Sequence, residues 1–309
     1  MGEGDRSIGG QGRLTAALSL SQAPPELLVV AAAISVQAGA ALATDLLRTH
    51  DAIAVVALRL VLAFAVLAVL RRPRRPPDPR TAWRTAIVLG LVFVGMNTAF
   101  YVAIARIPLG VAVTLEFWGP LALAVAGSRR LRDVVWVLLA ASGIYLISGG
   151  RLVADDLVGV SAALIAGLGW LCFVLVGQRL AVDWPDGRGL TAGLLVGAVV
   201  AVPIGFAVGD LGQVVTSPSA LLLGLGVAVF SGALPWSFEM AAIGRLRART
   251  YGVLASLEPA IAALVGFALL GQALGPMEVV AIVLVGVASA GASLTARRAV
   301  VTSAELEGA

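Results

Sequence analysis

The chain has 309 residues, of which 59% are hydrophobic and 13% charged, and its mean hydropathy is +0.97. A soluble globular domain carries about 25% charged residues, so this composition indicates an integral membrane protein. One cysteine and one histidine exclude a disulfide within the chain and a metal site built from His and Cys ligands. All 22 basic residues are arginines. They lie between apolar runs rather than in one basic stripe, which argues against nucleic-acid binding.

Ten apolar runs follow one another, each long enough to cross a hydrocarbon core of about 30 Å. The polar, glycine-rich residues 1–23 precede them and are interpreted as a disordered cytoplasmic tail. The first run is too long for the apolar part of a signal peptide, so we interpret it as an uncleaved helix. The predicted spans are 26–46, 51–70, 83–105, 109–127, 133–149, 157–179, 190–208, 219–241, 250–270 and 276–294.

The placement of the arginines predicts the orientation of these spans. Eighteen of the 22 lie in the two tails and in every second loop. The opposite loops hold only Arg48, Arg106 and Arg151, and Arg59 lies inside the second span. By the positive-inside rule, both termini are predicted to be cytoplasmic.

Two segments of the chain resemble each other. Residues 103–127 read AIARIPLGVAVTLEFWGPLALAVAG and residues 242–266 read AIGRLRARTYGVLASLEPAIAALVG, with seven identities at an offset of 139. Each half of the chain holds five spans, an odd number, so equivalent helices cross the membrane in opposite directions and the repeat is inverted. The identities include Arg106 with Arg245 and Pro120 with Pro259.

The predicted fold is therefore an all-α polytopic membrane protein. Its ten transmembrane helices form two inverted five-helix repeats, residues 24–149 and residues 150–294. The tail of residues 1–23 precedes them, and a second cytoplasmic tail, residues 295–309, follows.

Charges inside apolar spans mark candidate functional positions, because a charge at mid-bilayer costs about 2.5–3.5 kcal/mol on insertion scales. Glu116 and Glu258 lie beside the shared prolines and near the same face of equivalent helices. Glu239 lies near the cytoplasmic end of the eighth span. Its side chain could reach the interface or Arg245, or it could be functional.

Arg59 and Glu116 lie at matching depths in two helices that run in the same direction. Both are roughly 12 Å from the outer face at 1.5 Å per residue. Because either charge alone would be unpaired in lipid, we predict an Arg59–Glu116 ion pair. Whether that pair is structural or contacts a substrate is left open.

Uncharged polar residues on the inner helices are further candidates. Gln37, Asn97 and Tyr101 could hydrogen-bond a small zwitterion, or they could link helices to one another. These are the two interpretations that the pattern allows.

Large aromatic residues and prolines complete the candidate site. Trp118 and Trp170 could form the wall of a pocket, or they could be packing residues. Pro120 and Pro259 are candidate hinges, because proline kinks a helix and frees backbone carbonyls.

Several short motifs carry a family resemblance: Gly95-Met96-Asn97, Phe100-Tyr101, Ile107-Pro108-Leu109-Gly110-Val111-Ala112-Val113, Leu115-Glu116-Phe117, Gly119-Pro120-Leu121, Trp170, Ala233-Leu234-Pro235, Glu239-Met240 and Leu257-Glu258-Pro259-Ala260. With these motifs the chain resembles the drug/metabolite transporter superfamily, and within it proteins with two EamA domains. The resemblance covers about residues 26–298.

This resemblance implies a secondary active transporter, not an enzyme, in the bacterial inner (plasma) membrane. It implies export of small polar metabolites, most closely neutral amino acids of the threonine and homoserine type, by alternating access coupled to protons. Export of drugs, toxic metabolites or nucleobases by the same fold is the alternative. The expected partners are the small-molecule substrate, protons and the lipid bilayer, without nucleic acid or a cofactor. The sequence has no ATP-binding P-loop, which disfavours an ATP-driven pump.

Carboxylates are the only plausible proton carriers, because no histidine lies in a predicted span. Glu258 is favoured over Glu116 because no arginine lies at its depth. The competing interpretation is that Glu258 binds the amine of the substrate and carries no proton.

The predicted orientation is tested by cysteine labelling after Cys172 has been replaced. A cysteine at Arg72 or Arg247 is expected to stay unlabelled by a membrane-impermeant thiol reagent added outside. A cysteine at Thr49 is expected to react, because it lies in an outer loop. Labelling of position 72 or 247 from outside would show that the orientation is wrong.

Overall fold

The computed structural model describes most of the membrane-embedded chain as helix. The described residues are 22–70, 78–119, 156–184, 188–246, 257–273, 275–277, 279–288 and 291, with scattered positions between 122 and 146 and between 251 and 255. Several predicted features fall wholly or mostly outside them: the two tails, the loop 71–77, the fifth span (133–149) and Pro120.

Within the described ranges, six helices or continuous helical runs are long and apolar enough to cross a membrane. They coincide with the first, second, third, sixth, seventh and eighth predicted spans, which confirms a polytopic all-α membrane protein; the total of ten stays a prediction. In chain order the helices are α1 (Pro25–Leu47), α2 (Ala52–Leu70), α3 (Pro79–Ile104), α4 (Leu109–Glu116), α5 (Leu157–Asp183), α6 (Gly189–Val208), α7 (Leu211–Thr216), α8 (Pro218–Ala228), a π-helical segment (Val229–Ala233), α9 (Leu234–Ile243), α10 (Glu258–Leu270) and α11 (Val279–Ala288).

The starts of these helices follow from local sequence. Proline occupies the first turn of α1, α3, α8 and α10, where its missing N–H would have no helical partner in any case. The side chains of Asp78, Asp156 and Ser217 cap α3, α5 and α8 by accepting hydrogen bonds from first-turn N–H groups.

Several contacts join loops that the sequence places outside. His50 Nδ1 and Asp210 Oδ2 are 2.5 Å apart, and the Asp51 N–H donates to Asp210 Oδ1 at 3.0 Å. Partial burial acts to raise the pKa of Asp210, but the hydrogen bonds from His50 and Asp51 outweigh it and lower that pKa below its ordinary value. At another pair of outer loops, Arg106 Nη1 lies 3.5 Å from Asp156 Oδ2.

A second set of contacts joins segments that the sequence places on the cytoplasmic side. Thr85 Oγ1 donates to Asp183 Oδ2 at 2.5 Å, linking the start of α3 to the end of α5. Arg245 Nη1 donates to the carbonyl of Ala23 at 2.9 Å, just before α1. No contact between these loops joins the two predicted sides within the described part of the chain, which is consistent with alternating crossings.

The outer surface of the bundle is apolar, as a lipid-facing surface must be. Val69, Val208 and Leu222 are 82%, 75% and 73% exposed. The interior holds many alanines and glycines, which let helices approach closely. The polar side chains that are buried are therefore exceptional, and most of them lie in one place.

Candidate functional site

A cavity lies inside the bundle, between α1, α2, α3, α5, α9 and the facing ends of α4 and α10. Its volume is about 60 Å³, counted as space open to the centre of a water molecule. Since about 10–15 Å³ of such space holds one water, the cavity has room for several waters or one small solute. Seven of the eight predicted binding or coupling residues line it: Gln37, Arg59, Asn97, Tyr101, Glu116, Trp170 and Glu258.

Two interrupted helices bring a carboxyl group to the cavity. Glu116 is the last residue of α4, and Glu258 is the first residue of α10, directly before Pro259. The two helices pack closely, since a Cβ at Gly110 would lie 3.3 Å from Ala263 Cα. Helix ends inside a bundle leave backbone groups free to face a cavity, as in transporters with discontinuous helices.

Arg59 is buried and is held by three elements other than its own helix. Its Nη1 donates to the Tyr101 hydroxyl at 2.8 Å, and its Nη2 donates to the carbonyl of Ser231. The guanidinium carbon lies 4.5 Å from the ring centroid of Trp236 and 5.3 Å from that of Tyr101. These cation–π contacts and hydrogen bonds hold the charge without a carboxylate.

The predicted Arg59–Glu116 ion pair is therefore wrong. Both residues line the cavity, but no nitrogen of Arg59 lies within 4.0 Å of a Glu116 oxygen, and Glu116 has no hydrogen-bond partner among the described residues. The prediction rested on equal depth along two helices. Depth does not determine the rotation of a helix about its axis, and it cannot reveal a free backbone carbonyl.

That free carbonyl arises at the π-helical segment. Leu234 donates its N–H to the carbonyl of Val229, five residues earlier. Pro235 has no N–H, so the carbonyl of Ser231, four residues before it, has no α-helical donor. Arg59 binds this carbonyl, and Ser35 Oγ donates to the carbonyl of Phe230 at 2.6 Å.

A chain of two hydrogen bonds connects Trp170, through Tyr251, to the carboxyl group of Glu239. Trp170 Nε1 donates to the Tyr251 hydroxyl at 3.1 Å, and that hydroxyl donates to Glu239 Oε1 at 3.2 Å. Glu239 is only 6% exposed and lines the cavity. Its placement at the interface or against Arg245, one of the two sequence-based interpretations, is thus wrong, because Glu239 is buried and accepts its hydrogen bond from Tyr251.

The remaining candidates differ in whether their hydrogen-bonding groups already have partners within the protein. The Asn97 amide donates to the carbonyl of Phe93 at 2.7 Å, one turn earlier on its own helix. Gln37 lies beside Glu258, and its Oε1 is buried without a donor within the described chain. Trp118 does not line the cavity, since its indole donates to the carbonyl of Leu164 at 2.8 Å. It follows Glu116 by two residues, a spacing that places two side chains on different faces of a helix.

Sequence reasoning missed part of the cavity wall. Trp236 stacks on Phe93 with ring centroids 4.2 Å apart, and Phe93 contacts Phe173 at 5.7 Å. Ser231, which lines the cavity, and Tyr251, which hydrogen-bonds the cavity residues Trp170 and Glu239, were likewise not expected. The only feature of the sequence that could have indicated Ser231 is Pro235, one turn later. The only feature that could have indicated Tyr251 is its position in the second repeat segment.

A cavity lined by buried charges, inside a bundle of apolar membrane-length helices, is the arrangement of a membrane transporter. Residues 157–294 match the EamA-like transporter family. The threonine/homoserine exporters RhtA of Salmonella typhimurium (strain SL1344) and Escherichia coli (strain K12) are each 40% identical over 276 residues, which is 89% of this chain and 92% of theirs. The chain belongs to the EamA-like transporter family.

The fold also matches a known crystal structure. That protein is 20% identical to this chain, with a TM-score of 0.67, and the match covers 89% of this chain and 98% of that one. At this identity the likeness shows a shared fold.

The contact between α1 and the π-helical segment is tested with two glycines. A Cβ at Gly39 would meet Ser231 and lie 2.5 Å from its backbone nitrogen, whereas a Cβ at Gly95 would meet nothing within 4 Å. We expect Gly39→Ala to lower the free energy of unfolding in detergent by about 1–3 kcal/mol through overpacking. Gly95→Ala is the matched control and is expected to be neutral or to stabilise by up to about 1 kcal/mol. Equal stabilities of the two variants would contradict this packing.

Proposed function

We propose that the protein is a secondary active exporter of small neutral amino acids of the threonine and homoserine type. Its ten helices form two inverted repeats with cytoplasmic termini, in a bacterial inner membrane, and they expose the cavity to each side in turn. The observation that carries this proposal is the cavity itself, which gathers Glu116, Glu239, Glu258 and Arg59 where two helices are interrupted. The names of the relatives support the choice of cargo.

The size and walls of the cavity favour an amino acid over a drug or nucleobase. Its volume is about 60 Å³, and rigid aromatic rings of Phe173, Trp170 and Trp236 limit it. A large planar compound would need these rings to move, whereas a small zwitterion offers charged groups to a polar cavity. Nothing in this arrangement pairs an activated nucleophile with a base, so transport rather than catalysis is the function that we propose.

The repeat-related arginines support alternating access. Arg106 contacts Asp156 at the start of α5, and Arg245 contacts Ala23 just before α1. Each arginine of one half thus contacts the start of the first helix of the other half, on opposite predicted sides of the membrane. Contacts related in this way can break and form alternately as one half moves against the other.

The charges in the cavity support the proposed coupling to protons. Three carboxyl groups and one guanidinium line it, so full ionisation would leave a net charge of 1 − 3 = −2. A net charge of this size is costly in a low-dielectric site, so protons or a cationic group must accompany the carboxyls. Glu258 is the proposed proton carrier, because the charge of Arg59 acts on Glu116 and Glu239 but not on Glu258.

The Glu258→Gln variant tests the coupling in proteoliposomes. The variant keeps the size and hydrogen bonding of the side chain but cannot titrate. We expect it to lose threonine transport driven by a proton gradient while keeping threonine exchange, with a raised half-saturating concentration. Radiolabelled threonine flux with and without the gradient measures both.

The matched control is Glu26→Gln. Glu26 also lies in the first turn of a helix beside a proline, but it is exposed and outside the cavity. It is expected to transport as the unmodified protein does. If Glu258→Gln retains gradient-driven transport with an unchanged pH dependence, Glu258 is not the proton carrier. If the unmodified protein moves no threonine or homoserine, the proposed cargo is wrong.

A further inference from the structure

We propose that the cavity recognises its substrate through a primary ammonium group, bound at Gln37 and Glu258, and that the substrate carboxylate contributes little. The proposal rests on the proposed function and redefines its substrate class as small primary amines. Amino acids are then one kind of substrate, and amino-acid amides, which lack the carboxylate, are another.

Two hydrogen-bond acceptors at the cavity, on Gln37 and Glu116, have no donor within the described chain. Gln37 is 3% exposed, and its Oε1 has no donor within the described chain. It lies beside the carboxyl group of Glu258, and the Glu116 carboxyl across the same cavity has no hydrogen-bond partner among the described residues. A primary ammonium brings three N–H donors, which matches this set of acceptors.

Most side-chain donors at the cavity, in contrast, already have an acceptor within the protein. Recognition of a carboxylate by arginine uses two parallel N–H groups of the guanidinium fork. Both terminal nitrogens of Arg59 donate within the protein, to Tyr101 and to Ser231. Its Nε has no acceptor within the described chain, but this atom is buried and lies 3.7 Å from the position that a Cβ at Gly232 would take. One nitrogen of Arg59 without an acceptor, and not a parallel pair, is therefore left for a carboxylate.

Other donors at the cavity are also used internally. The Asn97 amide donates to the backbone of its own helix. The Trp170 indole donates to the Tyr251 hydroxyl, which in turn donates to Glu239. A substrate carboxylate held by two of these side-chain donors would have to break at least one existing bond, whereas an ammonium would fill acceptors that have no donor. The carboxyl groups would also attract the ammonium and repel the carboxylate.

The inference is tested by competition against labelled-threonine counterflow in proteoliposomes. The competitors are threonine amide, which keeps the amine but loses the carboxylate, and N-acetylthreonine, which keeps the carboxylate but loses the charged amine. The pH is set so that the amide is protonated. We expect threonine amide to inhibit at least as strongly as unlabelled threonine, and N-acetylthreonine to be at least about tenfold weaker. Inhibition by N-acetylthreonine at concentrations where the amide is inert would overturn the inference.

The residue assignment is tested with Gln37→Met, which keeps the length of the side chain and removes the acceptor. It is expected to raise the half-inhibitory concentration of threonine amide about tenfold, because a hydrogen bond to a charged group is lost. Gln213→Met is the control, since Gln213 is exposed on α7, outside the cavity. Should Gln37→Met misfold, Gln37→Asn, which retains an amide at a shorter reach, is expected to weaken amide binding too. Unchanged inhibition in a folded Gln37 variant would contradict the assignment.

The experiments distinguish failure of the proposed export function from failure of the ammonium site. If the unmodified protein shows no threonine counterflow, the proposed export function fails. The ammonium site is then judged by the thermal stability of the purified protein. Stabilisation by threonine amide but not by N-acetylthreonine supports the site, and the reverse order overturns it. If threonine counterflow is present and N-acetylthreonine is the stronger competitor, export stands and the ammonium site fails.

Discussion

The site depends on one buried guanidinium that is held without a carboxylate partner. Arg59 is anchored by the Ser231 carbonyl, the Tyr101 hydroxyl and the face of Trp236. A buried charge is costly unless it is hydrogen-bonded, and here a carbonyl left free by Pro235 meets that requirement. Arg59 therefore binds none of the three carboxyl groups of the cavity directly, and it offsets part of their charge from a fixed position.

The sequence was sufficient to predict the parts of this structure that depend on hydrophobicity and on charge in apolar spans. Six spans and six of the seven cavity residues were found in that way, because a charged or polar group among membrane helices must face an interior. Glu116 and Glu258 were found for this reason. The sequence pattern does not determine how a helix is rotated about its axis. For this reason Arg59 was given the wrong partner and Trp118 was considered for the cavity wall. The π-helical segment was missed because five-residue spacing has no signature of its own beyond Pro235.

The internal repeat has a clearer meaning in three dimensions than in the sequence. Arg106 and Arg245, which match in the repeat, make corresponding contacts. Arg106 contacts Asp156 at the start of α5, and Arg245 contacts Ala23 just before α1. The match around Pro259 marks the point where α10 begins, with Glu258 at its first position. The proposed movement of two halves about a central site would use both the contacts near the membrane surfaces and the helix ends at the cavity.

The most direct test of how Arg59 is held is a pair of double-mutant cycles on unfolding in detergent. One cycle combines Arg59→Met with Tyr101→Phe, and the other combines Arg59→Met with Glu116→Gln. Because Arg59 contacts Tyr101 and not Glu116, the Tyr101 cycle is predicted to give the larger coupling, about 0.5–3 kcal/mol. A larger coupling in the Glu116 cycle, with additive effects at Tyr101, would contradict this account of the site.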